Sequence, residues 1–266
     1  MSFYHRIACL SSEAVETLYL LGAEDRIAGV SGFATRPARA RRDKPAICGF
    51  SSGQIQRIMA VEPDLIIAFS DMQADLVADA IRAGVEVHVF NQRTVEGILD
   101  MIITLGRLVD RQPAAEMLVG ELAARLAAAA AHAASLPERA RVYFEEWNEP
   151  LICGIGWVSE LIDLAGGIDI FADVAGKPAA RGRIIADPSE VIRRAPDVII
   201  GSWCGRKFHP EELAARPGWE AIPAVRDGLV IGMKSADILS PGPSAILEGL
   251  PQLQAVVQRW STLHTA

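Results

Sequence analysis

The chain has 266 residues, half of them apolar, and a formal net charge of −7. That length and composition support one large domain or two ordinary lobes around a real core, and the acidic balance disfavours nucleic acid or an anionic membrane as the main partner. The four cysteines form no C-x-x-C and the five histidines have no ligand spacing, which excludes a zinc ribbon, a redox dithiol and a sequence-local metal site.

Elements follow in chain order. Met1-Ser2-Phe3-Tyr4-His5-Arg6 lacks the long apolar stretch and cleavage site of a secretion signal, so the chain as written is expected to be cytoplasmic, or periplasmic if its start lies upstream. No continuous apolar run reaches the roughly 18 residues of a membrane span. A strand at 6–10 holds Cys9, expected to be buried, as is Cys153 further on. A helix over 13–21, capped by Ser12 and stopped by Gly22, precedes a strand at 26–30. The stretch 31–45 is irregular and basic (Arg36, Arg39, Arg41, Arg42, Lys44): a solvated loop, or a patch for an anionic group. Then come a helix at 54–61, a strand at 65–68, a helix at 74–83, a strand at 86–90 and a helix at 95–109 with Ile98, Ile102, Leu105 and Val109 at helical spacing.

Alanines and leucines over 114–135, between Pro113 and Pro137, predict one long helix. It would span about 33 Å at 1.5 Å per residue, enough to bridge two lobes. Beyond it the scheme repeats: a strand at 141–144, helices at 158–165 and 188–195, strands at 198–201 and 229–232 flanking a helical piece at 211–215, and a last helix at 244–263 interrupted near Pro251. Alternating strands and helices predict an α/β fold with parallel sheets. The expected division is an N-terminal lobe at 1–112, a connecting helix at 113–137 and a C-terminal lobe at 138–266, with a ligand cleft between the lobes.

One phrase occurs twice. Glu62-Pro63-Asp64-Leu65-Ile66-Ile67-Ala68-Phe69-Ser70 returns as Ala195-Pro196-Asp197-Val198-Ile199-Ile200-Gly201-Ser202-Trp203. Each copy ends a helix at Pro-Asp, runs through a buried strand and delivers an aromatic and a serine to the strand's carboxyl end, where open α/β sheets bind ligands.

With these phrases, with 6–10 and 16–30 as an opening and with Pro241-Gly242-Pro243 before the last helix, the chain resembles the helical-backbone (class III) substrate-binding proteins of ABC importers. Through 143–151 and 156–162 it is most similar to the cobalamin-binding members. The resemblance implies two Rossmann-like lobes joined by a rigid helix, no catalysis, no required cofactor, and a corrinoid held between the lobes. A wide, mostly apolar ligand needs aromatic walls with a few polar groups. Candidate contacts are Phe50, Phe69, Ser70, Glu146, Trp147, Trp157, Arg183 and Trp203; Trp219 and Trp260 are expected to pack internally. The family's permease-docking glutamates map onto Gln56 in the first half and Glu190, or nearby Glu160, in the second, so one docking charge is missing.

Other readings stay open. A ferric siderophore would use Arg36, Arg181 and Arg183, and haem would use an axial ligand such as His209. Gly49-Phe50-Ser51-Ser52-Gly53 fits a nucleophile elbow, with Asp187 and His209 or Asp237 and His264 as partners. Gly154-Ile155-Gly156 lacks the third glycine of a dinucleotide loop. Glu145, Glu146 and Glu149 read as a solvated acidic strand end.

Overall fold

The computed structural model describes residues 4–264, which divide into two compact units. Met1-Ser2-Phe3, at the opening read for a secretion signal, lies outside the described residues. The first unit comprises the chain up to 92 together with 96–122; the second comprises 93–95 and the chain from 123 onward.

In the first unit five parallel strands, β1 (Ile7–Cys9), β2 (Ile27–Ser31), β3 (Ala46–Cys48), β4 (Leu65–Phe69) and β5 (Glu86–Phe90), lie in the order β3-β2-β1-β4-β5. Parallel neighbours need crossovers. These contain α1 (Ser12–Leu20), the short α2 (Ala40–Asp43) inside the basic stretch, α3 (Ile55–Met59) and α4 (Ala74–Arg82). Ala8, Leu10, Ile47, Ile58, Ile66, Ala68 and Ala80 form one of its apolar clusters. The basic stretch is mostly exposed and partly self-paired: Arg39 bonds Glu24 at 3.0 Å and Asp43 at 2.9 Å and stacks on Tyr19.

After α5 (Val95–Leu108), α6 (Gln112–Ser135) carries the chain from the first unit into the second. Its only fully buried positions, Ala115, Leu122 and Ala129, are seven residues apart, a single seam along an otherwise open helix. No uninterrupted apolar run of span length occurs in it, because Glu116, Glu121, Arg125 and His132 break the sequence. By length and composition α6 is apolar enough to cross a membrane. Its alanines produce that value, and its place between two α/β units makes it a connector.

The second unit has a mixed sheet of β6 (Ala140–Asn148), β7 (Leu151–Cys153), β8 (Gly167–Asp169), β9 (Val198–Gly201) and β10 (Val230–Gly232) in the order β10-β9-β6-β7, with β8 pairing β6. All pairings are parallel except β6–β7. Around it lie α7 (Gly156–Leu164), α8 (Ala172–Ala175), α9 (Ser189–Arg194), α10 (Pro210–Ala214), α11 (Pro223–Arg226) and α12 (Ser235–Ile238). A π-helical turn at Ala245–Gly249 leads into α13 (Leu250–His264), the interruption expected near Pro251.

The doubled phrase makes the same joint in each unit. Asp64 accepts from the backbone N–H groups of His5 (2.7 Å) and Arg6 (2.9 Å), while the Arg6 guanidinium donates to the carbonyls of Val61 (2.6 Å) and Glu62 (2.9 Å). Asp197 accepts from the Arg141 N–H at 2.8 Å, and the Arg141 guanidinium donates to the Arg194 carbonyl. The residues before the prolines, Glu62 and Ala195, both take left-handed φ values of +47° and +41°. Each copy thus ends a helix, turns sharply and ties its strand to the first strand of its unit. These aspartates sit at the amino ends of β4 and β9, opposite the carboxyl ends where ligands bind.

Candidate functional site

In the first unit Phe69 closes β4 and is buried, and Ser70, at φ +60°, accepts from the Met72 N–H at 3.3 Å. Phe50, after β3, is 42% exposed and meets Phe33, after β2, edge-to-face with centroids 6.3 Å apart. Buried Gln73 holds this corner together. Its Oε1 accepts from the Phe69 N–H (2.9 Å), and its Nε2 donates to the carbonyls of Leu10 (3.0 Å) and Phe50 (2.7 Å). One amide therefore fixes loops from three strands. Sequence reasoning missed Phe33 and Gln73: Phe33 lies in the irregular stretch, and a glutamine three residues past Ser70 looks like an ordinary helix start.

The elbow-like motif is a tight turn, with the Gly49 N–H donating to the Ser52 carbonyl at 2.7 Å. Neither proposed acid–histidine relay forms in the second unit. His209 Nδ1 faces Glu211 at 3.1 Å, and His264 contacts the Trp260 carbonyl and Asp227. Asp187 bonds Ser189 and Arg193 instead.

In the second unit most predicted contacts lie beneath the surface. Trp157 is buried at the start of α7, its indole N–H donating to the Ile238 carbonyl at 2.9 Å. Trp203 is 1% exposed and donates to Glu145 at 2.9 Å. Glu145 is not part of a solvated acidic end. It is fully buried, gripped by Arg216 at 2.6 and 2.8 Å and bonded by the Tyr143 hydroxyl at 3.1 Å. Burial first, and next the Glu145 carboxylate, hold the Tyr143 phenol well above its ordinary range, so it stays a donor. Buried Arg183 forms a two-pronged pair with Glu146 at 2.6 and 3.1 Å and also donates to the Cys153 carbonyl, so it is engaged inside the unit. Of the five tryptophans only Trp147 is less than buried; its indole donates to the Glu149 carbonyl at 2.8 Å.

A groove of about 620 Å³ opens at the carboxyl ends of β9 and β10. Trp203, Phe208 and Met233 contribute to its lining, with Arg206, Lys207 and Lys234 beside them. Phe208 folds back so tightly that a Cβ on Gly201 would sit 1.9 Å from its ring, so β9 must end in glycine. Among the described residues no group of three or more His, Cys, Asp or Glu is placed to hold a metal ion. The acids aligned with permease docking are engaged locally: Glu190 pairs with Arg193 and Arg194, and Glu160 accepts from the Val95 N–H at 2.7 Å.

A family model described as periplasmic binding protein matches residues 7–236, most of the chain. The chain belongs to the periplasmic binding protein family. Within this family it is 25% identical over 260 residues to a vitamin B12-binding protein of Vibrio parahaemolyticus, covering 96% of this chain and 91% of that one. It is 27% identical over 204 residues to a cobalamin-binding protein of Halobacterium salinarum, covering 73% of this chain but only 53% of that relative, so the match spans about half of the longer protein. Among solved structures it is similar to the periplasmic vitamin B12-binding protein of Vibrio cholerae (22% identity, TM-score 0.77, 97% and 98% of the two chains). A periplasmic heme-binding protein of Roseiflexus is similar too (22% identity, TM-score 0.79, 96% and 100% of the chains). At these identities the structures establish the fold: two α/β units joined by a long helix.

Proposed function

We propose that the chain is a non-catalytic binding protein for a corrinoid, cobalamin or a precursor, and requires no cofactor of its own. The observation that carries this reading is the relative named for vitamin B12 binding, which aligns over 96% of the chain. The carboxyl-end chemistry supports it. In the first unit the exposed pair Phe33 and Phe50, and in the second half-buried Trp147 and the apolar groove over Trp203 and Phe208, each present aromatic area of the kind a flat macrocycle packs on. In this reading Phe69, Ser70, Trp157, Trp203 and the Glu146–Arg183 pair act by shaping and stiffening the surface the ligand touches.

The ligand would be held for an importer or retained as a store. Gln56 together with the locally paired Glu190 favours weak charge steering toward a permease. The test of ligand class is calorimetric titration of the purified chain with cyanocobalamin, haem and a ferric hydroxamate. Saturable 1:1 binding of cobalamin with neither of the others competing is expected; preferential binding of haem or the hydroxamate contradicts the reading. Fractionation of native cells tests compartment: the periplasmic descriptions of the similar proteins predict the periplasmic fraction, and recovery with the cytoplasmic fraction alone contradicts it.

A further inference from the structure

This inference rests on the corrinoid reading and concerns the groove at the ends of β9 and β10. Three cations stand on it. Arg206 is already neutralised: its guanidinium donates to both oxygens of Glu212, at 2.7 and 3.0 Å, and stacks over Trp203 at 4.9 Å. Lys207 and Lys234 differ. Both are exposed, both line the groove, and neither makes an ion pair within 4 Å among the described residues. Glu211, the acid that feels Lys207, is hydrogen-bonded to His209 instead.

The groove therefore combines an apolar base with two unpaired ammonium groups on separate strand-end loops. A compact ammonium is strongly hydrated, and a ligand covering the groove strips part of that water unless it brings a negative charge. A neutral, fully amidated rim supplies only carbonyl oxygens; a rim bearing an ionised acid supplies charge-assisted acceptors. We propose that Lys207 and Lys234 make this groove select corrinoids carrying an ionised acid group, a carboxylate or a phosphate, over a neutral one.

The test is calorimetry on the full chain with three ligands: dicyanocobinamide, whose periphery is amides and a hydroxyl; cyanocobalamin, which adds a phosphodiester; and dicyanocobyrinic acid, which carries carboxylates. Two partly exposed ionic contacts predict that an acid-bearing ligand binds about tenfold more tightly than cobinamide at low salt. That preference should shrink at about 0.5 M salt, where screening is short-ranged. Tighter binding of cobalamin assigns the site to phosphate, and tighter binding of cobyrinic acid assigns it to carboxylate. In the Lys207→Gln, Lys234→Gln double variant the affinities should converge. Equal affinities for all three ligands, or a preference that survives the double variant, overturns the inference while leaving the corrinoid reading intact. No binding of any of the three overturns the corrinoid reading itself, and this inference with it.

Discussion

Glu145 is a carboxylate sealed from water and satisfied by three side chains, one of them 71 residues away. Removing it leaves the Arg216 guanidinium and the Trp203 indole without their acceptor. Glu145→Ala is therefore expected to cost about 3–5 kcal/mol in urea unfolding, the range for breaking one side of a buried ion pair; a loss under 1 kcal/mol would contradict the network. Gly201→Ala drives a methyl into the Phe208 ring and should lower the melting temperature and weaken ligand binding together, because Phe208 is part of the groove. Unchanged stability and affinity would show that Phe208 yields freely. The thiols sort by environment. Burial first pushes Cys153 up to about 12 and Cys48 up to about 11, and raises Cys9 further. Cys204 is exposed in surface terms, yet its surroundings still raise it. Iodoacetamide at mildly alkaline pH should modify Cys204 first and more slowly than a free thiol; faster labelling of any other cysteine by peptide mapping contradicts this. These details were the least legible in the sequence. An aromatic at a strand's carboxyl end looks the same whether it faces ligand or core, and the partners of the Trp203 ring, Glu145 on β6 and Phe208 in the loop after β9, are set by the fold.

At the scale of elements, Arg194 ties α9 to α8. It bonds Glu190 at 2.8 Å on its own helix and Asp173 at 2.9 Å on α8, donates to the Ile170 carbonyl, and stacks over Phe171 at 4.3 Å. Its hydrogen bonds are the leading cause holding the Asp173 and Glu190 carboxyls below their ordinary values of 3.8 and 4.5. Because the folded values are depressed, this stabilisation is complete above the ordinary carboxylate range and is lost as pH falls through the depressed values. Arg194→Gln should lower the melting temperature by about 2–4 °C at neutral pH, and the gap to the parent should narrow below about pH 4. A gap that stays constant down to pH 2 would show that the stacking on Phe171, not the charge, does the tying. Elements with a strong local signal were readable. β4 and β9 announce themselves as β-branched runs behind Pro-Asp, and α6 by its alanines. β8 was not readable, because Gly166-Gly167 signals a stop while Gly167 is itself in the strand. β7 has three residues and depends on antiparallel pairing with β6. The last helix was correctly seen as broken, though the break is a π-helical turn rather than a gap.

On the whole-molecule scale the chain is one device used twice. In each unit a strand tied down by Pro-Asp at its amino end carries an aromatic at its carboxyl end. Family and architecture were legible because they rest on this repeat and on the long helix, features that recur in order along the chain. Which of the candidate residues keep accessible surface was only partly legible, because a strand-end aromatic reads alike in sequence whether it is buried or exposed. Phe50 and Trp147 keep accessible area, whereas Trp157, Trp203 and Arg183 are buried. Corrinoid binding by the intact chain is checked by equilibrium dialysis against cyanocobalamin, read by the ligand's own visible absorbance. Saturable retention of one corrinoid per chain is expected; a protein compartment that holds no more cobalamin than the buffer outside it, at any ligand concentration, rules out a corrinoid as the ligand.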